Sequence, residues 1–211
     1  MPIIRLICIL TLSLWLTHCT SSAISMQPLA ANSIVLAFGD SLTFGTGGGS
    51  AQANYPYDLA LLIKHPVINA GVPGEETKDS LLRLMSELDK HHPQLVLLCL
   101  GGNDMLRKRP NDLTKQNLIN LIKQIKLTGA QVVLIAVPYP SLRLAIPEFY
   151  SEVATELQIP IEKNLLATLL NKPQNKSDMI HLNAQGYHLF AVGLAKFLAD
   201  HGALGEASHA S

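Results

Sequence analysis

Leu95-Val96-Leu97-Leu98-Cys99-Leu100-Gly101-Gly102-Asn103-Asp104 runs through unbroken apolar side chains, then through two glycines into an amide and a carboxylate. An apolar run of this length, ended by glycine, suits a strand buried on both faces of a parallel sheet. Residues 34–38, 67–70 and 131–137 read the same way, and a short fifth strand is expected over 158–161. Between them, residues 57–64, 79–91 and 113–127 place apolar side chains at helical spacing. Leu81, Leu82, Met85 and Leu88 are expected to share one helix face, and Leu118, Ile119, Ile122 and Ile125 another. Asn111 or Asp112 can cap the start of the 113–127 helix, and Gly129 suits a left-handed exit from it. A fourth helix is expected over 147–157, and a last one opens at Asn183 and runs to about Asp200, before Gly202. Such alternation predicts an α/β chain with one parallel five-stranded sheet and helices on both faces. Ligands then bind beyond the carboxyl ends of the strands.

The chain has 211 residues, 48% of them apolar and 15% charged, enough for one domain with a full core and too apolar for disorder. Its formal net charge is zero, with no long basic run, so nucleic-acid binding is not expected. Arg5 precedes the short apolar run 6–16, and Ser21-Ser22-Ala23 has the small side chains of a cleavage site. This pattern predicts a secretory leader over 1–23, cleaved near Ala23, and a periplasmic or secreted mature protein. Cys19 offers a lipoprotein alternative, although His18 fits poorly before a lipid-modified cysteine. A short segment then spans 24–31, the folded domain 32–201, and a flexible tail 202–211. Cleavage leaves Cys99 as the last cysteine, read as a buried small hydrophobe.

Four short stretches fall just outside the expected strands or before the last helix. Ser41, in Gly39-Asp40-Ser41-Leu42, would project from the carboxyl end of the first strand as a nucleophile once a base accepts its proton. After the second strand, Asn69-Ala70-Gly71-Val72-Pro73-Gly74 offers glycine N–H groups that could face a developing oxyanion. After the third, Asn103 supplies a neutral side-chain donor suited to the same task. In Asp178-Met179-Ile180-His181 one turn lets the carboxylate reach the imidazole Nδ1–H, leaving Nε2 to take the serine proton. Each stretch alone is an ordinary turn or cap, but their joint placement points to a serine nucleophile with an oxyanion site.

These residues resemble the SGNH (GDSL) hydrolases over roughly residues 32–200. Gly39-Asp40-Ser41-Leu42 resembles the family's nucleophile block, Gly102-Asn103-Asp104 its oxyanion-asparagine block, and Asp178 with His181 its acid–base block. Gly74, ahead of Gly71, stands where the family's oxyanion glycine is expected. The branch most resembled is that of small periplasmic acyl-CoA thioesterases, lysophospholipases and arylesterases. One departure is Leu182, where many relatives have proline; it should alter loop stiffness more than chemistry. The resemblance implies a flavodoxin-like α/β/α sandwich and hydrolysis through an acyl-serine. Ser41, Asp178 and His181 would be catalytic, with an oxyanion hole of Ser41, Gly74 and Asn103 and no metal or organic cofactor. The implied substrates are small acyl esters, thioesters or lysophospholipids, acted on by a monomer with no specific protein partner.

Other readings carry less. Gly45-Thr46-Gly47-Gly48-Gly49-Ser50 lacks the lysine of a phosphate-binding loop and reads as a flexible rim to the site. Arg107 could attract an anionic head group, and Leu142, Leu144 and Ile146 could line an acyl pocket. No histidine and carboxylate spacing suits zinc. A carbohydrate acetylesterase is the alternative enzyme, and a non-catalytic lipid- or glycan-binding module the alternative without catalysis.

Overall fold

The computed structural model describes residues 24–141 and 143–205, so the expected leader and Leu142 lie outside the described residues. Five parallel strands, β1 (Val35–Gly39), β2 (Val67–Gly71), β3 (Leu95–Cys99), β4 (Gln131–Ile135) and β5 (Ile161–Glu162), form one sheet in the order β2-β1-β3-β4-β5. This is the flavodoxin-like order, and its direction reverses between β1 and β3. Gly39 pairs with Gly71 on one side and Cys99 on the other, so these three strands end level with one another.

β1 and β3 are buried along their whole length, as their unbroken apolar runs require. β2 departs from that expectation: it is the edge strand, and of its residues Ala70 alone is buried. Its one outer flank has no neighbouring strand, which leaves Val67, Ile68 and Asn69 partly open.

Helix α2 (Tyr55–Ile63) packs against α8 (Ala184–Asp200) on one face of the sheet. On the other, α5 (Asn111–Leu127) packs against α3 (Leu81–His91) and α6 (Glu148–Leu157). Two layers of helices around the sheet make the three-layer sandwich. The expected face of α5 is buried, but that of α3 is corrected: Leu84 and Leu88 point inward while Leu82 and Met85 lie open. The stripe through Leu84 and Leu88 faces the core, and the stripe through Leu82 and Met85 is rotated away from it. Neither Asn111 nor Asp112 caps α5; Pro110 holds that position, and the Asn111 amide donates to the Tyr139 hydroxyl instead. Gly129 exits in the left-handed region as expected, with φ +84°. A helix not anticipated, α7 (Leu165–Leu170), packs against α8.

Residues 24–31 lie along the amino-terminal side of the sheet, where Leu29 N–H donates to the Ala203 carbonyl at 2.8 Å. Ala203 is fully buried and Gly205 exposed; the rest of the expected tail, residues 206–211, lies outside the described residues.

Candidate active site

β1 ends at Gly39 because the chain must turn closely there: a Cβ would run into Thr43 Oγ1 and the Cys99 carbonyl. Asp40 then caps a single-turn helix, α1 (Ser41–Phe44), its Oδ1 accepting from Leu42 N–H at 3.0 Å. Ser41 is thereby fixed as the first residue of α1, at the carboxyl edge of the sheet and at the topological switch point.

The loop before α8 brings Asp178 and His181 to it. Ser177 N–H donates to the His181 carbonyl at 3.0 Å and closes the turn. Inside it, Asp178 Oδ1 accepts from the N–H groups of Ile180 and His181, both at 2.8 Å. Its Oδ2 accepts from His181 Nδ1 at 2.8 Å, and His181 Nε2 stands 3.0 Å from Ser41 Oγ. With the Nδ1 proton committed to the carboxylate, Nε2 presents a lone pair to the serine hydroxyl. Partial burial disfavours charge on Asp178, but the His181 bond and two backbone N–H groups outweigh it and hold the carboxyl below its ordinary range.

Two anchors fix that loop. Asn183 caps α8 by accepting from Gly186 N–H at 2.9 Å, and Leu182 is fully buried in the core. Gly47 packs where a Cβ would meet Ser177 and Leu182. Of the glycine-rich 45–50 loop, expected as a flexible rim, Gly47 is thus packed against the 177–182 loop, while Gly49 stands in open space.

Asn103 comes from α4 (Gly102–Leu106), straight after β3. Its Nδ2 donates to Asp40 Oδ2 and to the Glu75 carbonyl, each at 3.1 Å. Asp104 does not cap a turn: it is buried and accepts from Thr77 N–H at 3.0 Å and Thr77 Oγ1 at 2.6 Å. Those bonds tie the β3 exit to the loop after β2. Gly74 lies in that loop at φ +82°, where a Cβ would make only an ordinary contact with Arg107 Nη2, and its carbonyl accepts from Arg107 Nη1 at 3.1 Å. Gly71, the other glycine considered, is a packing residue, since a Cβ there would collide with the Phe44 backbone.

Ser41, Asn103 and His181 open onto one small cleft. Its walls are largely apolar, with Val137, Leu144, Leu170, Met179 and Ile180 facing the three polar groups. Leu144 lines it with φ +46°, a strained setting for leucine. Ile146 packs against the core instead of lining this cleft. Arg107 also does not line it; besides the Gly74 carbonyl it faces Glu76 at 3.5 Å.

Two contributors, Arg83 and Asp40, act through partners that the sequence does not place beside them. Arg83 of α3 donates to the carbonyls of Gly39 and Ala70 and to the Glu75 carboxylate. Asp40 is a buried carboxyl whose pKa burial pushes up to about 6, against the Leu42 N–H and the charge of His181, which lower it. An isolated charge on a helix or beside a serine gives no hint of such partners; only the packing reveals them.

The sequence profile of the GDSL-like Lipase/Acylhydrolase family matches residues 37–189. The chain is 32% identical over 180 residues to the Thioesterase 1/protease 1/lysophospholipase L1 of Escherichia coli (strain K12), covering 80% of this chain and 85% of that one. It is 31% identical over 201 residues to the Arylesterase of Vibrio mimicus, covering 90% and 98%. Among solved structures, the psychrotrophic esterase EstA from Pseudoalteromonas sp., inhibited by monoethylphosphonate, matches with a TM-score of 0.69 at 22% identity. That match covers 79% of this chain and 99% of EstA. AlinE4, an SGNH-hydrolase family esterase, matches with a TM-score of 0.61 at 25% identity over 82% and 97% of the two chains.

Proposed function

The chain belongs to the GDSL-like lipase/acylhydrolase family of ester-hydrolysing enzymes, and from that premise we propose that it cleaves small acyl esters and thioesters through an acyl-serine at Ser41. The observation that carries the proposal is the relay from Asp178 Oδ2 through His181 to Ser41 Oγ, with links of 2.8 and 3.0 Å. Ser41 Oγ attacks the acyl carbonyl while His181 Nε2 takes its proton, and Asp178 steadies the imidazolium. The carbonyl oxygen becomes an oxyanion held by the N–H groups of Ser41 and Gly74 and by the Asn103 amide. Collapse of that intermediate breaks the bond to the leaving alkoxide or thiolate, which His181 protonates. Water then attacks the acyl-serine with His181 again as base, releasing the acid and restoring Ser41.

The apolar walls of the cleft favour an acyl chain beside the reacting carbonyl over a sugar. Two similar proteins carry the names thioesterase, lysophospholipase and arylesterase, which supports aryl esters, acyl thioesters and lysophospholipids as the substrates to test. The basic residue and apolar run at the start of the chain support export, with cleavage near Ala23. Among the described residues, no helix is long and apolar enough to cross a membrane.

The test is a panel of p-nitrophenyl esters, acyl-CoAs, lysophospholipids and acetylated sugars, run with the wild type and Ser41→Ala. Turnover of the acyl substrates, lost in the variant, is expected. Turnover restricted to acetylated sugars would replace the substrate assignment.

A further inference from the structure

The guanidinium of Arg83 reaches back from the first turn of α3 to the carboxyl end of the sheet. Nη1 donates to the Ala70 carbonyl at 2.8 Å and Nη2 to the Gly39 carbonyl at 3.3 Å, the ends of β2 and β1. Nε donates to Glu75 Oε1 at 2.7 Å, and Nη2 also meets Glu75 Oε2, so the carboxylate is gripped through both oxygens. The same group lies 3.8 Å over the Phe38 ring. The Glu75 side chain is 7% exposed, too buried for its charge to stand without this partner. The carbonyl of Glu75 is also one of the two acceptors holding the Asn103 amide.

We propose that Arg83 is a positioning residue for the oxyanion hole, holding through Glu75 the backbone that aims the Asn103 amide and the Gly74 N–H at the reacting carbonyl. This rests on the acyl-serine reading given above. One side chain spans the strand ends from which Ser41 and the Gly74 loop depart, and locks the loop to both. Lysine could supply the charge but not the planar fork that serves two strand carbonyls and a carboxylate together. Loss of the fork lets the Glu75 carbonyl drift, and a displacement of roughly 1 Å in a positioned group can cost about a hundredfold in rate.

The experiment compares wild type, Arg83→Lys, Glu75→Gln, their double variant and Ser41→Ala on p-nitrophenyl butyrate, with melting temperature recorded for each. In both single variants kcat per folded molecule is expected to fall about 10- to 100-fold while KM stays within about twofold, the mark of a lost transition-state interaction. The double variant should be no worse than the poorer single one, because both break the same link. A purely structural arginine would lower the melting temperature and leave kcat of the folded enzyme unchanged, and that result in both singles overturns the inference. Should Arg83→Lys fail to fold, Glu75→Gln decides in the same way. Ser41→Ala separates the two claims: full activity in that variant sinks the acyl-serine reading itself. An inactive Ser41→Ala beside fully active Arg83→Lys and Glu75→Gln sinks this inference alone.

Discussion

Asp40 Oδ2 accepts a hydrogen bond of 3.1 Å from Asn103 Nδ2, joining the residue before Ser41 to the amide that faces the same cleft. Asp40 is 2% exposed, and burial raises its pKa from 3.8 to about 6. A carboxyl whose folded pKa exceeds its unfolded one binds its proton more tightly in the native state. Its contribution therefore weakens the fold as pH rises from about 4 to 6. Asp40→Asn removes this dependence. Urea unfolding should show the variant gaining about 1–3 kcal/mol relative to wild type between pH 4 and pH 8. An unchanged difference between those pH values would contradict the assignment.

Asn103→Ala removes a neutral donor from the cleft and leaves Asp40 and the Glu75 carbonyl without that partner. The variant should lose about 10²–10³ in kcat with KM little changed, as for other oxyanion donors. Steady-state kinetics on a p-nitrophenyl ester checks this, and a loss below about tenfold would take Asn103 out of the role.

Gly71 and Gly74 differ in what a side chain there would meet. A methyl at Gly71 meets the Phe44 backbone, so Gly71→Ala should cost about 1–3 kcal/mol of stability through overpacking. Gly74 has room for a methyl but sits at φ +82°, so Gly74→Ala should cost about 1–2 kcal/mol in backbone strain. That strain would move the loop that offers its N–H, and the kcat loss should be larger for Gly74→Ala than for Gly71→Ala. Melting temperature and kcat measured on both variants check this; the opposite order in kcat would favour Gly71 as the donor.

Asp178→Asn leaves the loop room to form but weakens the hold on the His181 tautomer. The expected loss is about 10²–10⁴ in kcat, since a neutral amide can orient the ring wrongly. Because the Asp178 carboxyl is held below its ordinary value, its contribution to stability is present above the ordinary carboxylate range and is lost as pH falls below it. The stability gap between wild type and Asp178→Asn should therefore stay level from pH 8 to 5 and shrink only in stronger acid. Narrowing of that gap already at pH 6, in urea unfolding, would contradict it.

Much of this arrangement was legible in the sequence because the informative residues are local. Buried runs ended by glycine announce β1 and β3, and the three-residue offset from Asp178 to His181 is a distance one turn closes. The edge position of β2 was not legible, since strand order depends on crossovers and an apolar run looks alike at the edge and in the centre. The inward stripe of α3 was misjudged because Leu81, Leu82, Leu84, Met85 and Leu88 supply two apolar stripes and periodicity alone does not choose between them. Arg83 and Asp104 act on partners 8 to 44 positions away in the chain, contacts that exist only once the sheet is assembled. Leu144 and Ile146 looked equivalent in sequence, and both pack against the core, yet only Leu144 of the two also lines the cleft.

The most direct measurement of the central claim is to inactivate the enzyme with an alkyl fluorophosphonate and map the modified residue by peptide mass spectrometry. A single adduct on Ser41, forming in step with loss of ester hydrolysis, is predicted. An adduct on another residue, or hydrolysis that persists after Ser41 is fully modified, would contradict the account.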